Sequence, residues 1–124
     1  MAKYIPRNRI LTFEFGDTAF EIMRTKAELD RIVQTAVDTG KALLIISQNA
    51  NESDGSPLLY EKSIEVAKSA LNGMLNDSLA SEKITGGEAW LLEDYVDAMA
   101  YILAQVSAAR QIRLYDYSPQ RAEA

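Results

Sequence analysis

The sequence predicts an α+β fold in which an N-terminal two-stranded β-hairpin is followed by three or four mainly antiparallel helices. Three observations predict it. Strand-forming residues alternate on both sides of Gly16-Asp17, apolar residues recur at helical spacing from residue 29 onward, and a cluster of turn formers at 51–56 breaks that helical pattern in two. The length of 124 residues suits a single domain. We divide it into a basic arm at 1–8, a hairpin at 9–24, a helical part at 25–113 and a loose tail at 114–124.

The hairpin reading rests on RILTFEFGDTAFEIMR, residues 9–24. Glycine supplies the positive φ that a two-residue turn requires. Closing the turn at Gly16-Asp17 pairs Phe15 with Thr18, Phe13 with Phe20 and Leu11 with Ile22 on one face. Thr12 with Glu21 and Glu14 with Ala19 fall on the other, so each strand alternates apolar with polar residues. An isolated hairpin is marginal in water, so the helices must cover the Leu11, Phe13, Phe20, Ile22 face.

Thr25-Lys-Ala-Glu28 has the spacing of a capping box and predicts a helix start. Leu29, Ile32, Val33, Ala36 and Val37 follow at steps of three and four. Lys41 to Ser47 reads either as a strand after a glycine cap or as the same helix continued across Gly40. The unbroken phase 29, 33, 36, 40, 43, 47 favours one helix to about Ala50. NESDGS at 51–56 is an exposed loop, and Ser56-Pro57 opens a second helix to about Asn76. Its apolar stripe is Tyr60, Ile64, Ala67, Leu71, Met74 and Leu75, with Glu61, Lys62, Glu65 and Lys68 facing water. Residues 77–87 form a broken stretch with one helical turn from Ser81. A second capping-box spacing, Thr85 to Glu88, predicts the start of a last helix to about Arg113, with Leu92, Tyr95, Val96, Met99, Ile102, Leu103 and Val106 as its stripe. Acids at its start and Arg110 with Arg113 at its end match the helix macrodipole.

Composition narrows the function classes. The chain has no cysteine and no histidine, so thiolate chemistry and the commonest general base and metal ligand are missing. A net charge of -5 opposes binding to nucleic acid, which takes a basic face. No run approaches the length of a membrane span. MAKYIPRNR carries Lys3, Arg7 and Arg9 but no apolar core of signal-peptide length, so the chain is expected in the cytosol. Glu93, Asp94 and Asp97 are the only plausible acid cluster, and they read as the solvated start of a helix. Asn51-Glu52-Ser53-Asp54-Gly55 lacks the spacing of a calcium loop. Gly86-Gly87 reads as a hinge or tight turn more readily than as an anion site. Trp90 beside Tyr95 and Tyr101 reads as the edge of a core or as a binding patch, and Tyr115 with Tyr117 either fold back or await a partner. The expectation is a protein that is not an enzyme, with no cofactor and no metal site.

The element order, a hairpin running straight into a capped helix and then further helices, resembles that of the tail assembly chaperones of long-tailed bacteriophages. The resemblance is carried by ILTFEFGDTAFEIMRTKAEL, by EVAKSALNGMLNDSLASEKITGG, and by EAWLLEDYVDAMAYILAQVSAARQ, which is similar to the family's closing helix. The chain departs from the family at Ser78-Leu79-Ala80, where a glycine-glutamate-glycine type of turn is usual. The resemblance implies a non-enzymatic protein of the host bacterial cytoplasm. It would bind the tape measure protein, recruit tail tube protein and leave before the virion matures. A frameshifted longer form, common in the family, would be attached through the tail from Tyr115. Leu11, Phe13, Phe20 and Ile22 on the hairpin, and Tyr95, Met99 and Ile102 on the last helix, are the candidates for packing or partner contact. A structural head-to-tail connector or tail completion protein, retained in the virion, is the alternative. The unpaired hairpin edges add the expectation of a possible homo-oligomer.

Overall fold

A computed structural model describes residues 9–52 and 56–110, with the side chains of 49–52 and 56–58 left aside; the predicted basic arm, Arg113 and the tail lie outside these residues. The element order is β1 (Ile10–Phe15), β2 (Thr18–Met23), α1 (Lys26–Glu52), α2 (Ser56–Met74), α3 (Ala80–Thr85) and α4 (Leu92–Arg110).

The hairpin has the predicted register from Phe15↔Thr18 through Phe13↔Phe20 and Leu11↔Ile22, and the ladder runs on to Ile10↔Met23. Gly16 has φ +60° while Asp17 does not lie at positive φ, the pattern of a II′ turn. Phe13, Phe20 and Ile22 are buried, whereas Thr12, Glu14, Ala19, Glu21 and Met23 on the opposite face are exposed.

Residues 41–47 are helical, so α1 is one helix of 27 residues that crosses Gly40. Its start differs from a full capping box. The Glu28 amide donates to Thr25 Oγ1 at 3.3 Å, but the Glu28 carboxylate turns away to Arg31, at 2.9 Å, and to Asn76 Nδ2, at 3.2 Å. Arg31 in turn donates to the carbonyls of Gly73 and Met74. One end of α1 thereby seals the orphan carbonyls at the C-terminus of α2. The buried phase of α1 is also rotated from the predicted one: Leu29, Ile32, Thr39 and Ile46 are buried, while Val37, Gly40 and Ser47 are exposed. Neighbouring apolar residues (Ile32-Val33, Ala36-Val37, Leu43-Leu44) make both phases available, and the packing of α2 and α4 selects one.

The chain leaves α2 through a Schellman turn. Asn76 adopts φ +52°, its amide reaches Gly73 O at 3.3 Å, and the Asp77 amide reaches Asn72 O at 3.1 Å. Asp77 then anchors α3: its carboxylate accepts the Leu79 amide at 2.8 Å and the Lys83 ammonium at 2.6 Å. The Lys83 bond, aided by the Leu79 amide, holds the Asp77 carboxyl below its ordinary value of 3.8.

The last helix does not start at the predicted capping box. Thr85 is the final residue of α3, and Gly86 and Gly87 follow at φ +64° and +86°. No right-handed helix passes through two such residues. The start is Leu91 instead: the Asp94 carboxylate accepts the Leu91 amide at 3.0 Å, and the Tyr60 hydroxyl of α2 accepts the Leu92 amide at 3.1 Å. Tyr95, Ala98, Met99, Ile102 and Val106 are its buried side, and Val96, predicted in the stripe, is exposed.

Helix directions follow from these contacts. Arg31, near the start of α1, meets the end of α2, and Leu43 and Ile46 share a pocket with Leu59 and Tyr60 near its start, so α1 and α2 are antiparallel. Arg110 of α4 reaches Asp30 of α1 at 3.4 Å, and the start of α4 lies at Tyr60, so α4 is antiparallel to α1 and parallel to α2. One core joins the hairpin to the helices, with Phe13, Phe20 and Ile22 meeting Ile32, Leu71, Met74, Tyr95, Met99 and Ile102.

Two glycines give opposite predictions, since a Cβ would meet nothing within 4 Å at either Gly16 or Gly40. Gly16→Ala forces an L-residue to positive φ and should destabilise by about 1–2 kcal/mol. Gly40→Ala in the middle of α1 should stabilise by about 0.5–1 kcal/mol. Urea unfolding midpoints check both signs. Because the Asp77 pKa is depressed, its support of α3 is present above the ordinary value of 3.8 and is lost as pH falls through the folded value. The protection of the Leu79 amide relative to its intrinsic exchange rate, followed by NMR, should therefore fall below about pH 4 and do so at higher pH in Lys83→Met.

Candidate functional site

The residues that sequence marks for packing or partner contact are mostly interior. Phe13 and Ile102 are fully buried, Phe20, Ile22, Tyr95 and Met99 are at most 7% exposed, and Leu11 is half-buried against the same cluster. They pack the chain's own core and leave little surface for a partner.

The accessible apolar surface lies elsewhere. On α1, Val37, Leu44 and Ile45 are 44, 59 and 57% exposed. Their spacing of seven and eight residues places them on one side of the helix, roughly opposite Leu29, Ile32, Thr39 and Ile46. Lys41 stands between them in sequence and on the same exposed side. One residue round the helix, Leu43 borders a pocket of about 200 Å³ that Ile46, Leu59, Tyr60 and Leu92 also line. The signal for this face was present in the adjacent apolar pairs of α1, but periodicity assigned Val37 to the core.

The acidic residues do not assemble into a metal centre. Glu93, Asp94 and Asp97 are exposed, and Asp94 caps the Leu91 amide. Among the described residues, no group of three or more carboxylates could hold a metal ion. The expected loop at 51–56 has its middle, residues 53–55, outside the described residues, as are Tyr115 and Tyr117. Gly86 and Gly87 do not present free amides to an anion, because Gly86 N–H donates to Glu82 O at 2.9 Å and Gly87 N–H to Thr85 Oγ1 at 3.3 Å.

The aromatic residues near the hairpin and the start of α4 form two sets of ring contacts. Phe15 and Tyr101 meet edge to face with centroids 5.2 Å apart, Tyr101 also meets Phe13 at 6.4 Å, and Trp90 lies 5.4 Å from Tyr95. Trp90 and Tyr101 are both half-buried. The Tyr101 hydroxyl accepts the Glu14 amide at 3.1 Å. That amide points away from β2, since Glu14↔Ala19 is a non-hydrogen-bonded pair in this register. Among the described residues the sheet has two strands, and Tyr101 occupies part of the outer edge of β1.

Among the described residues, no helix is long and apolar enough to cross a membrane. Comparison of the chain with protein-family models, with curated proteins and with solved structures gives no match.

Tyr101→Phe keeps the ring and removes the acceptor of the Glu14 amide. We expect a loss of about 1 kcal/mol in unfolding free energy and faster hydrogen exchange at Glu14 than in the parent protein. Unchanged exchange at that amide would show that the bond does not protect the edge.

Proposed function

We propose that this protein is a non-enzymatic assembly chaperone for a long helical client. In its specific form it is a tail assembly chaperone of a long-tailed bacteriophage, acting in the host bacterial cytoplasm on the tape measure protein and bringing tail tube protein to it. The observation that supports this reading is the apolar side of α1, where Val37, Leu44 and Ile45 stand exposed at helical repeat spacing. An amphipathic client helix reads such a face through anchors at similar spacing, and the interaction requires no titrating residue. The resemblance of the hairpin, linker and closing helix to the chaperone family supplies the specific client. The net charge of -5 suits a protein that must keep an aggregation-prone partner dissolved.

Co-expression with the tape measure protein encoded in the same genome tests the reading. A soluble complex that co-elutes with the client is expected, and mass spectrometry of purified virions should not find the chaperone. Leu44→Glu with Ile45→Glu should leave the fold within about 0.5 kcal/mol of the parent, since both side chains are exposed, yet weaken the complex about tenfold or more. Client solubility that does not depend on the protein would refute the proposal. Its presence in mature virions would favour a connector or completion protein.

A further inference from the structure

A groove of about 630 Å³ runs between β1, the α3–α4 connection and α4. Its aromatic lining is Phe15, Trp90 and Tyr101, and its carboxylates are Glu14, Glu88, Asp94 and Asp97. No lysine or arginine lines it, whereas two grooves beside α2 include Lys62 and Lys68 respectively.

Helix electrostatics account for only part of this charge. Asp94 caps the Leu91 amide, and Asp97 lies within the first two turns of α4. Glu14 belongs to β1, and Glu88 lies in the connection before the helix, so neither serves the macrodipole. Among the described residues, Glu14, Glu88 and Asp97 make no salt bridge. Three separate elements thus direct like charges to one aromatic groove, which raises the energy of the empty state and favours a cationic occupant. The carboxylates are not gathered as a metal site, and the space holds several side chains.

We propose that this groove binds an arginine-bearing segment of a protein partner. A guanidinium lies flat on an aromatic face and at the same time donates to carboxylates in a fork, which a lysine ammonium does less well. Phe15 and Tyr101 are held edge to face, and the Tyr101 hydroxyl is fixed by the Glu14 amide, so these rings stand ready before the ligand arrives. The site is on a different surface from the apolar side of α1, and its occupancy does not depend on the chaperone reading.

Trp90 is the chain's single tryptophan, so its fluorescence reports on the groove directly. Titration of the full chain with a hexa-arginine peptide should give a saturable change in Trp90 emission that weakens with added salt. Hexalysine should bind less tightly, and hexaglutamate should have no effect. Glu88→Gln with Asp97→Asn should weaken hexa-arginine binding about fivefold or more. Glu61→Gln with Glu65→Gln, which removes the same charge from the exposed side of α2, should leave affinity within about twofold. Circular dichroism confirms that both variants are folded. No saturable change, or equal weakening in the two double variants, would overturn the groove assignment. Equal affinity for hexalysine would overturn the choice of arginine.

Discussion

The hairpin has an apolar face that the helices cover, and the rest of the molecule is arranged around that need. Phe13 is fully buried and Ile22 nearly so, in contact with a cluster drawn from α1, α2 and α4. Burial of a phenylalanine or isoleucine contributes about 2–3 kcal/mol each, more than a two-residue turn and one short ladder provide by themselves. Among the described residues the sheet has two strands, and the helices supply the cover that further strands would give. In return the hairpin lies along α4, with Phe15 at Tyr101 and Arg24 reaching the Ala109 carbonyl at 3.4 Å.

A second constraint is the satisfaction of backbone groups where elements end. The carbonyls that close α2 are met by Arg31 of α1, the first amides of α4 by Tyr60 and Asp94, and an outward amide of β1 by Tyr101. Arg31, Tyr60 and Tyr101 come from other elements, so these ends are coupled to tertiary packing in addition to the local caps at Thr25, Asn76 and Asp94. No buried side-chain nitrogen or oxygen among the described residues lacks a hydrogen-bond partner. Loosening one contact therefore exposes the terminus of a neighbouring element.

Two of the surfaces that these internal contacts leave open among the described residues stand out. One is the outer side of α1, apolar with Lys41 on it, and the other is the groove of aromatic and acidic residues beside β1. They differ in chemistry, the first suited to a helix with apolar anchors and the second to a cationic side chain. Neither face contains Leu11, Phe13, Phe20 or Ile22, the hairpin residues that sequence marked for packing or partner contact, which pack against the chain's own helices.

Local chemistry by itself determined much of this protein. The Gly16 turn and strict alternation set the hairpin register to the residue, and continuous apolar spacing across Gly40 identified α1 as one helix. These features depend on near neighbours, so they are legible without a partner element. Tertiary structure decided the rest. Thr85 to Glu88 has capping-box spacing, yet Gly86 and Gly87 turn left-handed and the last helix waits for Leu91. Glu28 leaves the capping box for Arg31 and Asn76. The stripe of α1 has two phases of nearly equal apolar content, and only the positions of α2 and α4 choose between them. That choice buries Ile32 and Ile46 and leaves Val37, Leu44 and Ile45 in water. In the same way, Glu14 is far along the chain from Glu88 and Asp97, and only the fold brings their charges to one groove.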